Sequence, residues 1–158
     1  PHGRAGQFQQ ARIDGRFMFE HIEAGAGNDF AAQRFGKGAR IGLVATRATL
    51  ATRLFEPALH AHGLSLVAPT DAALDDWVLP AIALVKAGKT HEAGPLLEQA
   101  VQAMLDAGAD GIILACTEAP MALQDASAAL HARCIDSSTA LAQATVALWK
   151  QIQSAHPA

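Results

Sequence analysis

A chain of 158 residues, 51% of them hydrophobic, is long enough for one α/β domain or a little more and can bury a real core. A formal charge of −3 and a pI near 6.2 offer no basic footprint, so no nucleic-acid partner is expected. No apolar run reaches the length of a membrane span, no charged-then-apolar leader opens the chain, and the two cysteines, Cys116 and Cys134, stand far apart in no metal-ligand spacing. A reduced, cytoplasmic protein with no membrane partner, no metal and no disulfide is therefore expected.

Residues 1–16, PHGRAGQFQQARIDGR, lack an initiator Met and show no apolar period. They read as an irregular tag-like or linker segment and hint at a fragment. A globular region over 17–136 and a closing helix over 137–158 follow. The first apolar run is RIGLVA, 40–45, preceded by Gly36 and Gly38. Residues 49–62 then read as a helix, with Leu50, Leu54, Ala58 and His62 on one row. The second run is LSLVAP, 64–69, announced by Gly63. A helical pattern over 71–87 carries Leu74, Trp77, Val78, Ile82 and Val85, and Pro80 inside it predicts a kink or a split. Residues 92–107 place Leu97, Val101, Met104 and Leu105 at helical spacing, and Gly108 stops that helix. The third run is GIILAC, 111–116, and a short fourth is RCID, 133–136. Asp136, Ser137 and Ser138 are cap candidates for the last helix, which carries Leu141, Val146 and Leu148. Short apolar runs bounded by Gly or Pro suit strands buried on both faces. Their alternation with helices predicts an α/β fold with a parallel sheet of about four strands flanked by helices.

In open α/β sheets, ligands bind beyond the carboxyl ends of the strands. Two strand ends here are polar: RIGLVA runs into Thr46-Arg47-Ala48-Thr49, and GIILAC into Thr117-Glu118. Each precedes a helix, so free backbone N–H groups would face the same edge and suit a carboxylate. Cys116 is either a small buried strand-end residue or an acid–base or nucleophilic thiol with its pKa lowered by a helix terminus and a nearby cation. The adjoining polar pair favours the second reading. Glu118 is either a first-turn acid that suits the helix dipole, or a group that binds a ligand amine or braces the loop. Thr49 is an N-cap for a helix starting at Leu50, a carboxylate contact, or both. Lys86, before Gly88, reads by itself as an exposed lysine at a helix end, and Arg47, Arg53 and the pair Asp75-Asp76 as solvated surface. His60 and His62 point apart on a helix and form no ligand pair. GKGAR, 36–40, precedes a strand rather than following one, so it is no phosphate loop.

Taken together, ARIGLVATRATLATRLFEPAL, KAG, GADGIILACTEAP and CIDSSTALAQATV resemble the C-terminal half of the aspartate/glutamate racemase superfamily, over roughly residues 20–150. The form C-T-E looks more like the aspartate racemase branch than the glutamate racemases. The resemblance implies one lobe of a two-lobe fold and cofactor-independent racemisation, with two cysteines flanking the substrate α-carbon. By it, Cys116 is the second-lobe acid/base, Thr117 contacts the α-carboxylate with its hydroxyl and backbone N–H, and Thr49 contacts a carboxylate or the amino group; Glu118 is counted with them among the substrate-binding residues. Thr46 and Thr49 line the other loop, and Lys86 binds a side-chain carboxylate. The substrate class implied is an amino acid or dicarboxylate, with no cofactor and with a homodimer as the assembly such proteins often form. The family's first cysteine, in a C-N-T type motif, has no counterpart here, and Cys134 does not match it. A fragment lacking the first catalytic cysteine, with a last helix left partly uncovered, is the expectation. A single-cysteine decarboxylase or isomerase of the same superfamily, and a non-catalytic small-carboxylate-binding lobe, are the alternatives.

Overall fold

The structure, a computed structural model, describes residues 15–155, with side chains from 25 to 154. The segment 1–14, and with it nearly all of the stretch read as irregular, lies outside the described residues. The chain opens with helix α1, Gly15–Phe35, and enters strand β1, Arg40–Val44. Two short helices follow, α2 at Arg47–Ala51 and α3 at Phe55–Ala61, before β2 at Ser65–Val67. A continuous helical stretch is built from α4, Asp71–Ala73, a π-turn, Leu74–Val78, and α5, Leu79–Lys86. Helix α6, Thr90–Asp106, leads to β3, Gly111–Leu114. The short helices α7, Glu118–Ala122, and α8, Ala128–His131, precede β4, Cys134–Asp136, and α9, Ser137–Ala155, closes the chain.

The four strands are parallel, in the order β2-β1-β3-β4. Val44 pairs with Leu114 and Leu114 with Asp136, so β1, β3 and β4 end level with one another. Side chains alternate between the faces, as the pleat requires. Val44, Val67, Ile112 and Leu114 pack with α5, α6 and α7 in one apolar cluster. Ile41, Leu43, Ile113 and Ile135 pack with α1 and α3 in the other. Burial on both faces explains why each strand reads as an unbroken apolar run. At Gly42 a Cβ would run into Ile112 Cδ1 and lie 3.1 Å from Met104 Sδ, so glycine here lets α6 lie close on the sheet.

Three elements differ from their sequence patterns. The stretch 49–62 is two helices, because Arg53 adopts a left-handed φ of 53° and turns the chain after α2. Proline 80 denies the helix a backbone donor, and the preceding turn widens into the π-turn rather than breaking. Helix α1, with no clean apolar period, packs Ala26 and Ala31 into the second cluster and sends Arg34 Nη1 to the Cys134 carbonyl, 3.3 Å away. The uncovered last helix is present as expected from the sequence: Val146, Leu148, Trp149 and Ile152 are each about half exposed or more, while Leu141 packs onto the core. Among the described residues no helix is long and apolar enough to cross a membrane.

Candidate active site

Strand β3 stops at Leu114, and the Ala115 N–H still donates to the Val44 carbonyl at 2.8 Å. The chains of β1 and β3 therefore run side by side up to Ala45 and Ala115, and then diverge into the two polar loops. Cys116 sits two residues past the strand, half-buried against the cluster that contains Leu114. Its thiol donates to Glu118 Oε2 at 2.8 Å, and Thr117 Oγ1 donates to the same oxygen at 3.1 Å. Lys86 Nζ, arriving from the end of α5, stands 3.6 Å from Glu118 Oε1. Four of the candidate residues, Lys86, Cys116, Thr117 and Glu118, thus share one cluster, with the Glu118 carboxylate at its centre.

The electrostatics follow from this arrangement. Burial, and then the hydrogen bond to Glu118, push the Cys116 thiol up to about 11, and the Lys86 ammonium offsets this only weakly. Glu118 is held below the usual carboxylate range, chiefly because it accepts the thiol hydrogen bond. The two shifts agree: the proton stays on sulfur. This corrects the expectation of a thiol with a lowered pKa. The cation that would lower it is largely solvated and pairs with Glu118, which stands between it and the sulfur. Helix α7 spans only Glu118–Ala122, too short to supply much of a dipole.

The threonine pair forms its own unit. Thr46 caps α2, its Oγ1 accepting from the Thr49 N–H at 3.2 Å, and the two hydroxyls lie 3.0 Å apart. The cap is therefore Thr46, and Thr49 lies inside the helix rather than before it. Among the described residues no hydrogen bond joins this pair to the cysteine cluster. What relates them is strand register, which brings both loops to the same edge. The remaining cysteine, Cys134, lies at the other end of the sheet. It pairs with Ile112, four residues before Cys116, which at about 3.3 Å per residue is roughly 13 Å away, beyond any disulfide. Both cysteines are free. Among the described residues no group of His, Cys, Asp and Glu could hold a metal ion.

Sequence reasoning missed one set of contacts. Arg47 pairs with Asp75, and its Nη1 stands 3.7 Å from Asp71 Oδ1. Arg47 and Asp75 are solvated as the sequence suggests, each more than half exposed, but at 28 residues' separation no local pattern could have signalled the tie between them.

Residues 21–145 match the family model described as Asp/Glu/Hydantoin racemase. The chain belongs to this family. It is 32% identical over 107 residues to an "Uncharacterized protein in pnlA 3'region" of Pectobacterium carotovorum subsp. carotovorum, covering 68% of this chain and 71% of that protein. It also superimposes on the aspartate racemase of Picrophilus torridus with a TM-score of 0.61 and 26% identity, over 78% of this chain. The match spans 49% of that racemase, so the chain corresponds to about half of it. The sheet, the flanking helices and the racemase family assignment are thus in agreement.

Proposed function

We propose that this chain is the Cys116-bearing lobe of a cofactor-independent amino-acid racemase of the aspartate/glutamate type. The observation that carries the reading is the thiol of Cys116, presented at the carboxyl edge of the sheet and hydrogen-bonded at 2.8 Å to Glu118. A core cysteine has no need of a carboxylate partner, a neighbouring hydroxyl and an adjacent ammonium. An amino-acid α-proton is very weakly acidic, so its removal needs a positioned base, a desolvated site and hydrogen bonds to the α-carboxylate as negative charge spreads onto it. Cys116 rests as a thiol, so its first role is to deliver a proton to the carbanion. Its sulfur then carries the negative charge beside Glu118, so Glu118 turns away or is neutralised as the thiol gives up its proton, with Thr117 free to turn its hydroxyl to the substrate. Removing the α-proton from the opposite face requires a second base. Cys134, at the far end of the sheet, cannot be that base, so in this reading it comes from residues outside the chain. Lys86, Thr46 and Thr49 bind carboxylates, with no cofactor, and a homodimer is the assembly proposed.

A second reading is supported by the raised pKa of Cys116: a non-catalytic lobe binding small carboxylates, in which the thiol never ionises. One experiment separates the two. The chain and its Cys116→Ser variant are incubated with L- and D-aspartate and L- and D-glutamate in D₂O, and α-deuteration is followed by NMR. Exchange of one enantiomer that vanishes in the variant supports a working acid/base on one face. No exchange with any of the four refutes an autonomous catalytic lobe, and binding without exchange establishes the second reading.

A further inference from the structure

The helical stretch 71–86 lies on one face of the sheet, and its two ends reach the segments that follow β1 and β3. Its inner side, Leu74, Val78, Ala81, Ile82 and Val85, is buried in the same cluster as Val44 and Leu114, the last residues of β1 and β3. Each end is held by charge. At the start, Asp75 and Asp71 take Arg47, which lies between Thr46 and Thr49 in the loop after β1. At the finish, Lys86 reaches Glu118 in the loop after β3. The stretch is thus a strap along the face of the sheet, tied at one end to the start of α2 and at the other to the start of α7. The two ties differ in what a ligand does to them. A ligand carboxylate arriving at Lys86 replaces Glu118 as its partner, because the Lys86 side chain is 63% exposed and its ion pair with Glu118, at 3.6 Å, is a loose one. Arg47 has two carboxylates on the strap, so the first tie persists when the second opens. Among the charged contacts of the described residues, Arg47 then sets the position of Lys86 relative to the Thr46–Thr49 pair.

We propose that Arg47 is a positioning residue: by holding Asp75 and Asp71 it fixes the spacing between the threonine loop and Lys86, and through that spacing it makes the site selective for amino acids with a second carboxylate. This rests on the reading of Lys86 as a carboxylate-binding residue. Arg47 touches no substrate in this arrangement. The buried face keeps the strap on the sheet, so removing Arg47 loosens chiefly its exposed first turn and, through it, the spacing to Lys86.

The test is binding to the full chain, followed by amide NMR at constant ionic strength, with L-aspartate, L-glutamate and L-alanine as probes. In Arg47→Ala the affinity for the better-bound dicarboxylate is expected to fall about fivefold, the scale of one exposed ion-pair network. Alanine, which does not use Lys86, should change less than about twofold, within the non-additivity of distant sites. The charge-swapped double variant, Arg47→Asp with Asp75→Arg, should restore the loss. Amide exchange in β1 and β3 reports that the fold is intact. If Arg47→Ala binds both dicarboxylates as the parent does, the positioning role is overturned while the site reading stands. If alanine weakens in parallel, Arg47 merely stiffens the lobe and the proposal also falls. If the parent chain shows no dicarboxylate-induced shifts at Thr46, Thr49, Lys86 or Thr117, the site reading itself is wrong and the proposal falls with it.

Discussion

The protonation state of Cys116 is the most direct consequence of the site's geometry. Replacing Glu118 by Gln keeps a side-chain oxygen near the thiol but removes the negative charge. A hydrogen bond to a charged acceptor is worth about 1.5–3 kcal/mol. The Glu118 side chain is 20% exposed and Lys86 stands against it, so the lower end of that range applies. That is about one pKa unit. The thiol, pushed up to about 11 in the parent, should therefore titrate about one unit lower in the variant, with burial holding it above its ordinary value. The assay is the pH dependence of iodoacetamide alkylation in a Cys134→Ala background, needed because burial also pushes Cys134 up to about 11. The sign on stability follows from the same shift. Below the unfolded-state pKa the thiol is neutral in both states, and its contribution is fully present. As pH rises towards the folded-state value, the unfolded chain ionises first and stability is lost. The parent should thus lose stability between about pH 9 and 11, and less so in Glu118→Gln. A parent alkylation midpoint at or below 9 would refute the argument, and a midpoint unmoved by Glu118→Gln would remove Glu118 as the thiol's partner.

Two further outcomes concern the lobe's stability. Asn28 on α1 is fully buried, and among the described residues both polar atoms of its amide lack a hydrogen-bond partner; Asn28→Leu, of the same branched shape though larger, should stabilise by about 1 kcal/mol in urea unfolding, and a fall would mean that the amide is satisfied in solution or the site is too tight for leucine. Gly42→Ala places a methyl group against Ile112 and Met104 and should destabilise by about 1–3 kcal/mol, measured by the same unfolding curves, whereas an unchanged midpoint would show that α6 yields freely.

Much of this arrangement was legible in the sequence, and the boundary has physical causes. Strands β1 and β3 were legible because double-sided burial makes their residues uniformly apolar. Helix α6 was legible because Leu97, Val101 and Met104 line one face, and Gly108, at φ 92°, ends it. Helix α1 was not, because it packs through alanines, a glycine and a buried Asn28, none of which gives an apolar stripe. The break at Arg53 was hidden because arginine occupies a left-handed position where glycine would have announced it. At the site, adjacency in sequence carried the prediction: Cys116, Thr117 and Glu118 are consecutive, so one strand end delivers all three. Lys86 was assigned only through family resemblance, since its closeness to Glu118 depends on the strap's path.

The error in the direction of the Cys116 shift has the same origin. Sequence places a carboxylate two residues from the thiol and the resemblance brings a lysine to the same site, but neither shows which of them touches the sulfur. With Glu118 in contact and Lys86 beyond, the nearer charge prevails and the proton is held on sulfur. A thiolate at this position then requires Glu118 to turn away or to become neutral. Substrate binding at Lys86 works against that thiolate. A carboxylate that takes Lys86 removes the cation from Glu118, and the thiol then faces an uncompensated negative charge. Dicarboxylate binding should therefore hold Cys116 more firmly in its protonated form, slowing its alkylation even where the ligand does not cover the sulfur. An alkylation rate that rises with bound aspartate would reverse that order of contacts and place Lys86, not Glu118, in control of the thiol.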